Sequence, residues 1–345
     1  MSEMVKVAVD AMGGDYAPVE IVKGAVMAVN EKENVQVVLL GKEADIEREL
    51  SQYTYDKARV EVVNCEDVIE MAEAPVNAIR TKKDSSIVKG MQMTKTGETD
   101  AFISAGSTGA VLVGATLLVG RIKGIERAPL APLIPTANGV ALLIDCGANV
   151  DSRPSHLVQF AKMGSIYMES VMGIKNPRVA LASNGTEEEK GNALVKETHP
   201  LLKECKDINF IGNIEARDIP MGAADVVVCE AFTGNAILKT YEGVGAVLIN
   251  KIKASLMTNL KTKIGALLIK DALKETLKDF DVDKYGGAPM LGLKGLVVKS
   301  HGNSKAGVIR NSIFQCVTFK EQQINEKIKA GIVEQTKETL SDKED

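Results

Sequence analysis

The sequence predicts an α/β fold built from short buried strands and intervening helices. Apolar runs such as Val5 to Val9 and Val35 to Leu40 alternate with segments of helical periodicity. At 345 residues, 45% of them hydrophobic, the chain is long enough to bury a large core. We therefore expect a single domain over residues 1–345, made of two intertwined lobes.

Composition and charge argue against several classes of protein. The net charge of −4 and the pI near 5.7 indicate no general attraction to nucleic acid. The five cysteines are widely spaced, which is typical of reduced residues in a cytosolic protein. Met1 to Lys6 lead directly into a strand, so we expect no signal peptide. The charged segment from Glu334 to Asp345 is expected to fray.

The N-terminal strand ends in residues suited to ligand contact. Val5 to Val9 is followed by Asp10, and then by Gly13 and Gly14. In open α/β sheets, ligands bind beyond the carboxyl ends of the strands, where these three residues are expected to lie. Alternatively, Asp10 only caps backbone groups in a strand-helix turn.

Further strands and helices are predicted to follow in alternation. Pro18 suits the first turn of a helix that reaches about Asn30. The pattern then predicts strands at 35–40 and 60–63, a charged helix at 43–51, and a helix opened by Ser85 or Ser86.

The segment from Asp100 to Arg121 has the pattern of an anion-binding strand, turn and helix. An apolar strand at 101–104 precedes a turn of small residues, and an uncharged helix is predicted from Ala110 to Gly120. Glycines let a ligand approach the backbone, hydroxyls donate or cap, and a helix N-terminus attracts anions. The candidate phosphate-binding residues of the turn are Gly106, Ser107, Thr108 and Gly109.

Two other interpretations of this segment stay open. The absence of charge between Asp100 and Arg121 could indicate a membrane span. Against a span, lipid would leave the backbone of the turn unsatisfied, and the helix is too short to cross a bilayer. A glycine-serine turn also often joins a strand to a helix without binding anything.

A second strand with an acidic end is predicted in the middle of the chain. Gly139 to Asp145 forms an apolar strand, and Asn149 and Asp151 follow it in a segment of small residues. Asp145 and Asp151 could hold a divalent cation through oxygen ligands, but no third acid is clustered with them. We therefore predict no metal ion and no cofactor.

Lys190 follows another predicted strand, at 178–182. Thr186 and Glu189 have the spacing of a capping box, so we expect a helix to begin there, with Lys190 in its first turn. Lys190 would either neutralise a phosphate or pair with Glu187 on the same face of the helix.

Two later strand ends carry further candidates. The strand 224–229 precedes Asn235 and a helix, and the strand 296–298 precedes His301. His301 lies just beyond a strand, whereas His156 and His199 lie in helical patterns. A lone histidine often has only a structural role, and that alternative stays open.

The stretch from Gly243 to Lys270 contains no acidic residue, and its lysines interleave with apolar residues at helical spacing. Three functions fit: a dimer-interface helix pair, a hairpin on an anionic membrane surface, and a docking site for an acidic protein. Packing within the fold is a fourth explanation, which does not account for the missing acids. The residues expected to make membrane or partner contacts are Lys251, Lys253, Leu256, Leu260, Lys261 and Lys263.

A set of short motifs resembles the bacterial phosphate acyltransferase family of phospholipid synthesis, the PlsX type. The resemblance covers nearly the full length and is carried by VAVDAMGGDYAP (7–18), ISAGSTGA (103–110), GRIKGIERAPLAP (120–132), DCGANVD (145–151), KGN (190–192), FIGNIEARD (210–218), FTGN (232–235), YGGAPMLG (285–292) and KSHGNS (299–304). Ser107 departs from the family pattern, which usually has Asn there.

The resemblance implies transfer of a long-chain acyl group from acyl carrier protein to inorganic phosphate. The product would be acyl phosphate, used by a membrane-bound glycerol-3-phosphate acyltransferase to make phosphatidic acid. The resemblance also implies a homodimer with the three-layer α/β/α architecture of isocitrate and isopropylmalate dehydrogenases and a helical projection at 243–280. Finally, it implies a cytoplasmic protein that associates peripherally with the membrane.

Such a reaction needs positioned donors more than a catalytic triad, because phosphate is already a nucleophile and a thiolate can leave. We expect the turn 106–109 and Lys190 to hold phosphate. Asn149, Asn235 or backbone N–H groups would stabilise the oxyanion, and His301 would orient phosphate or protonate the departing sulfur. Asp10 is expected to arrange neighbouring donors.

Two rival functions are compatible with the fold class. A metal- and nicotinamide-dependent decarboxylating dehydrogenase would need clustered acids and a cofactor motif, neither of which is visible in the sequence. A non-catalytic, membrane-bound scaffold would use only the stretch from Gly243 to Lys270.

Overall fold

A computed structural model describes residues 3–280 and 282–334. The strands are β1 (Val5–Asp10), β2 (Val35–Gly41), β3 (Val60–Asn64), β4 (Ala101–Ser104), β5 (Leu133–Thr136), β6 (Gly139–Ile144), β7 (Arg178–Ser183), β8 (Asn209–Glu215), β9 (Val226–Val228), β10 (Ala288–Met290) and β11 (Leu296–Lys299). The helices are α1 (Val19–Glu31), α2 (Glu43–Leu50), α3 (Pro75–Thr81), α4 (Ser86–Thr96), α5 (Thr108–Gly114), α6 (Pro154–Ser170), α7 (Ala193–Glu204), α8 (Ala231–Leu256), α9 (Leu260–Asp279), α10 (Ala306–Glu321) and α11 (Ile324–Ile328).

These elements form two compact units, and the chain enters each unit more than once. Unit 1 contains the described residues up to Pro132, Lys162–Asn176 and those from Asp283 onward. Unit 2 contains Leu133–Ala161 and the described residues of Pro177–Val282. The fold class predicted from the sequence is confirmed: the protein is α/β, with one mostly parallel sheet in each unit. The predicted fraying of the C-terminal tail concerns residues that lie almost wholly outside the described ones.

Unit 1 is organised around a sheet with strand order β10-β11-β4-β1-β2-β3. Only the β10–β11 pair is antiparallel; the other neighbours are parallel. The chain builds outward from β1 to β3 and then returns to the other side of β1 with β4. That reversal makes the crevice between the carboxyl ends of β1 and β4 a topological switch point, where α/β sheets bind ligands.

Unit 2 has its own sheet, with strand order β5-β6-β9-β7-β8. The β5–β6 pair is antiparallel, and β6, β9, β7 and β8 run parallel. Its core is apolar on the strand faces, with Leu143, Ala180 and Val227 fully buried. Continuous burial of these short runs explains why they lack the alternating pattern of half-exposed strands.

Most strands lie where the periodicity predicts them, but two helix starts differ. The helix predicted from Thr186 is wrong, because 184–191 form turns and α7 begins at Ala193. Gly191 adopts a φ of 105°, which does not fit a helix, and the Asn192 side chain caps Val195 N at 3.0 Å. The helix predicted from Ala110 begins at Thr108 and continues as a π-helical turn over Ala115–Val119.

The basic stretch forms a helical hairpin made of α8 and α9, joined at 257–259. Many of its large apolar side chains are exposed, including Leu260 at 74% and Leu268 at 81%. Packing within the described fold therefore does not account for these side chains. Within residues 3–280 and 282–334, no helix has both the length and the apolar composition needed to cross a membrane.

Candidate functional site

The switch point of unit 1 brings a carboxylate, a hydroxyl and an ammonium group into one row. Ser104 lies in register with Lys299 across β4 and β11. On the other side, Val9 pairs with Ile103, so Asp10 and Ser104 come next in the same register. Register partners in a parallel sheet share a face, and side chains alternate between faces along each strand. Asp10, Ser104 and Lys299 therefore occupy one face at the carboxyl edge.

Asp10 is the centre of a buried hydrogen-bond network. Its Oδ1 accepts from Ser86 Oγ at 2.6 Å and from Met12 N at 3.1 Å. Its Oδ2 accepts from Ser104 Oγ at 2.7 Å. Burial raises the pKa of the Asp10 carboxyl above 3.8, although the three hydrogen bonds and the Lys299 charge act in the opposite direction. The network joins β1, β4 and the first turn of α4.

Ser104 transmits this network to the turn that follows β4. Its Oγ accepts from Gly106 N at 3.0 Å while its own hydroxyl donates to Asp10. Gly13 approaches the same turn so closely that an added Cβ would lie 2.6 Å from Gly106 N and 2.4 Å from Asp10 Oδ2. Asp10, Gly13 and Gly106 therefore come together, as the sequence predicts for a strand-end site.

The turn presents several backbone donors. Ser107 is the N-cap of α5, and its Oγ accepts from Ala110 N at 3.4 Å. Within the described chain, no hydrogen-bond partner is recorded for the backbone N–H groups of Ser107, Thr108 and Gly109. Thr108 is exposed and Gly109 is half-buried, so this corner is open to solvent. Free N–H groups at a helix start are suited to an anion.

The loop after β11 reaches the same corner. Ser300 N donates to Ser104 O at 3.0 Å, and Gly302 O accepts from Asp15 N at 2.7 Å. His301 is exposed within this loop, and its carbonyl accepts from Ser304 N at 3.1 Å. The side chains of the β1 loop, the β4 turn and this loop thus lie at one edge of the unit 1 sheet.

Unit 2 has a corner of similar sequence but different bonding. Asp145 is fully buried and accepts from Ala148 N at 3.2 Å and from Asn149 N at 2.9 Å. The Asn149 Nδ2 also donates to Asp145, at 2.8 Å. Asn235 is exposed in α8, which begins at Ala231 and therefore contains the FTGN motif. Gly234 lies against this corner, since an added Cβ would be 2.0 Å from Asp145 O.

Lys190 is exposed in the turn before α7. Of the two alternatives for Lys190, the pairing with Glu187 is not found within the described chain: Lys190 forms no ion pair there, and its backbone N donates to Glu187 O at 3.1 Å. Because the predicted helix does not form there, the two side chains do not share a helical face. Among the described residues, the Lys190 ammonium group makes no hydrogen bond or ion pair that indicates its role.

Three residues of the unit 1 corner were missed from the sequence: Ser86, Ser104 and Lys299. Lys299 is only 8% exposed, and its Nζ donates to Ser300 O. Ser104 and Lys299 could have been predicted, because each is a polar residue at the last position of a buried strand. Ser86 could not be found in this way, because a helix from elsewhere in the chain carries it to Asp10.

The described residues contain no group of three or more His, Cys, Asp or Glu side chains placed to share a metal ion. On the α8–α9 hairpin, Lys253, Leu256 and Lys263 line a groove of about 490 Å³ between the two helices. The other predicted contact residues, Lys251, Leu260 and Lys261, lie outside this groove and are exposed.

The fold is similar to that of solved phosphotransacetylases, and this likeness concerns the fold alone. It resembles a phosphotransacetylase from Streptococcus pyogenes with a TM-score of 0.59 and 18% sequence identity, over 94% of each chain. A family model described as "Fatty acid synthesis protein" matches residues 5–327.

Sequence relatives give the narrower assignment. The chain is 51% identical over 327 residues to the phosphate acyltransferase of Clostridium novyi (strain NT), covering 95% of this chain and 98% of the relative. It is 47% identical over 331 residues to the putative phosphate acyltransferase of Clostridium perfringens (strain 13 / Type A), covering 96% and 98%. The chain belongs to the PlsX-type phosphate acyltransferase family, which confirms the resemblance stated from its motifs. It is accordingly an acyltransferase.

Proposed function

We propose that the protein transfers a long-chain acyl group from the thioester of acyl-[acyl carrier protein] to inorganic phosphate. A phosphate oxygen attacks the thioester carbonyl, a C–O bond forms and the C–S bond breaks. The electron pair of that bond leaves with sulfur, which takes a proton to become the carrier thiol. The other product is acyl phosphate, which a membrane-bound glycerol-3-phosphate acyltransferase would use in making phosphatidic acid.

The observation that carries this proposal is the set of N–H groups without a recorded partner at Ser107, Thr108 and Gly109. They lie at the switch point of a parallel sheet, in a chain of the phosphate acyltransferase family. Fixed backbone donors stabilise an anion without reorganising during the reaction. In this proposal Gly106 supports the turn instead of binding phosphate, because its N–H is already bonded to Ser104.

The proposal also assigns roles to four side chains outside the turn. His301, on the same edge of unit 1, would orient phosphate or protonate the leaving sulfur. In unit 2 we assign Lys190 to phosphate binding, and Asn149 and Asn235 to stabilisation of the oxyanion. The Asn149 amide donates to Asp145 at 2.8 Å, which fixes its orientation at this corner.

The proposal extends to assembly and location. It includes the three-layer architecture of the isocitrate and isopropylmalate dehydrogenases, a homodimer, and a cytoplasmic protein held peripherally at the membrane. The exposed apolar and basic side chains of the α8–α9 hairpin support contact with an anionic membrane surface or with acidic acyl carrier protein.

The primary test is incubation with acyl carrier thioester and phosphate, followed by trapping of the product with hydroxylamine. We expect thioester loss that depends on phosphate, and a matching amount of acyl hydroxamate. Thioester that stays intact at saturating phosphate would contradict the proposed function. A change in nicotinamide absorbance would instead support the dehydrogenase alternative.

A substitution of Thr108 tests the backbone donors directly. Thr108→Pro removes one N–H at the first helical position, where proline is tolerated, and Ser107 already has a compatible ψ of 117°. Thr108→Ala keeps the N–H and is the matched control. We expect the proline variant to raise the KM for phosphate by about tenfold or more, with little change in the KM for the thioester. Equal KM values for phosphate in the two variants would show that this N–H does not bind phosphate.

Lys190→Ala and His301→Ala test the two side chains, with Lys196→Ala as a control on the exposed surface of α7. At limiting phosphate we expect both site variants to lose at least about tenfold in turnover, and the control to keep its activity. Unchanged turnover in either site variant would remove that residue from the proposed mechanism.

A further inference from the structure

The strand β8 contains an irregularity that changes which residue faces the turn before α7. Val179 of β7 pairs with Phe210, but Leu181, two positions further along β7, pairs with Asn213, three positions further along β8. One extra residue is therefore inserted in β8, and Gly212 there adopts a φ of 97°, which favours glycine. Bulges of this kind are common next to active sites, where they re-aim a side chain.

The bulge places Asn213 on the same face of the unit 2 sheet as Phe210. Side chains alternate between faces along a strand, so without the extra residue Asn213 would lie on the opposite face. Phe210 contacts His199 of α7, with the ring centroids 5.2 Å apart. Ile214, the next residue, packs with Ala182 in the apolar core of the other face. The extra residue therefore turns Asn213 towards α7 and the segment that leads into it.

Asn213 is buried, and it holds that segment by one hydrogen bond. Only 5% of the residue is exposed. Its Nδ2 donates to Glu187 O at 2.9 Å, and the same carbonyl accepts from Lys190 N at 3.1 Å. Its Oδ1 is buried without a hydrogen-bond partner among the described residues. Burying an amide whose oxygen has no partner lowers stability, so the residue is better explained by the bond that it makes to the turn.

The side chain of Lys190 follows a defined path across the same turn. An added Cβ at Gly185 would lie 2.7 Å from Lys190 Cγ and 3.2 Å from its Cδ, so the lysine stem crosses directly over Gly185. The stem starts from backbone that Asn213 fixes, since the Lys190 N–H and the Asn213 amide bond to one carbonyl. Holding the backbone and the stem reduces the freedom that a long side chain must lose when its end group binds a ligand.

We propose that Asn213 is a positioning residue for phosphate binding. It holds Glu187 O, and through it the backbone of Lys190, in the place from which the ammonium group reaches phosphate. This role rests on the phosphate binding that the proposed function assigns to Lys190. Asn213 does not touch the substrate itself, because its amide is buried against the turn.

Titration of the full-length protein with inorganic phosphate, followed by calorimetry, tests this role. Asn213→Ala removes the amide, and Ile211→Ala is the matched control, because Ile211 lies on the same strand with 43% of its surface exposed. We expect Asn213→Ala to weaken phosphate binding by about fivefold or more, and the control to stay within about twofold. In the Lys190→Ala background, Asn213→Ala should change phosphate binding by less than about twofold, because it acts through the lysine.

Hydrogen exchange of the peptide covering 184–191 gives a readout that needs no phosphate. Asn213→Ala should speed exchange there by about fivefold or more, whereas Ile211→Ala should not.

Gly185→Ala is a second variant, which serves if Asn213→Ala folds poorly. It keeps the Asn213 bond but displaces the stem of Lys190, so it should weaken phosphate binding by about fivefold or more. That loss should disappear in the Lys190→Ala background, where the displaced atoms are absent. A Gly185→Ala protein with the phosphate affinity of the wild type would show that the position of the lysine does not matter, and would overturn the proposal.

Three further results would overturn the role of Asn213. The first is equal phosphate affinity in Asn213→Ala and Ile211→Ala. The second is the same loss of affinity with and without Lys190, which would make Asn213 a purely structural residue. The third is unchanged hydrogen exchange at 184–191. An active enzyme with any of these results refutes this role alone, whereas the expected pattern of phosphate binding in a protein without turnover refutes the proposed function alone.

Discussion

The two sheets end in corners that look alike in sequence but are bonded differently. In each, a buried strand ends in a buried aspartate followed by small residues, Asp10 in unit 1 and Asp145 in unit 2. Asp10 accepts from side chains of two other elements, Ser86 in α4 and Ser104 in β4. Asp145 accepts hydrogen bonds from its own loop, from Ala148 N and from the backbone N and Nδ2 of Asn149.

The difference shows that the same sequence pattern can have two different structural roles. The Asp10 carboxylate ties together segments that are distant in the chain, and through Ser104 it holds the turn at Gly106. The Asp145 carboxylate shapes the few residues that follow it and orients the Asn149 amide. Perturbing Asp10 should therefore disturb a whole corner, whereas perturbing Asp145 should disturb a loop.

The largest effect is expected from Asp10→Ala compared with Asp145→Ala. Loss of Asp10 leaves two buried serine hydroxyls and Met12 N without their acceptor, which should reduce the free energy of unfolding by about 3 kcal/mol. Loss of Asp145 should reduce it by about 1 to 2 kcal/mol, because the half-buried Ala148 and Asn149 can turn to water. Urea denaturation followed by circular dichroism measures both, and equal losses would contradict the distinction between the corners.

A smaller loss of stability is expected at two glycines whose backbone lies too close to neighbouring atoms to allow a Cβ. An added Cβ at Gly13 would meet Asp10 Oδ2 at 2.4 Å, and one at Gly234 would meet Asp145 O at 2.0 Å. Gly13→Ala and Gly234→Ala should each reduce the free energy of unfolding by about 2 kcal/mol, since the backbone must shift. Gly307→Ala is the control: nothing lies within 4 Å of its added Cβ, so it should be neutral or stabilising. Only Gly13→Ala should also raise the KM for phosphate.

Ser104 sharpens the comparison because it connects Asp10 to the turn. Ser104→Ala should reduce the free energy of unfolding by about 1 kcal/mol and raise the KM for phosphate, since Gly106 N loses its acceptor. Ser104→Thr keeps the hydroxyl and should restore most of the phosphate affinity. Asn149→Ala should leave the KM for phosphate unchanged. If Ser104→Ala and Ser104→Thr have the same KM, the hydroxyl does not position the turn.

The smallest expected effect is a change in the stability of the folded protein with pH. Burial raises the pKa of Asp10 in the folded protein above 3.8, so the folded state holds this proton more tightly than the unfolded chain. The resulting stability is fully present below the unfolded pKa and is lost as pH rises through the folded pKa. As pH rises above about 4, the wild type should therefore lose stability relative to Asp10→Asn. A stability difference that does not vary with pH would contradict the raised pKa.

The predicted strands succeeded because local apolar runs also become buried runs in the sheets. Val5–Asp10 and Arg178–Ser183 are examples, since every position in each is buried or half-buried. The helix start at Thr186 failed because a capping-box spacing competes with Gly191 and Asn192, and only the folded turn shows which pattern prevails.

The sequence alone determined the family, the α/β class and the strand ends at which polar and small residues collect. These properties follow from residue order and from side-chain periodicity, both of which are local. Only the tertiary structure decided that Ser86 and Ser104 bond to Asp10, that Gly106 N is already occupied, and that a basic groove opens between α8 and α9. Each depends on how distant segments pack, which local periodicity does not specify.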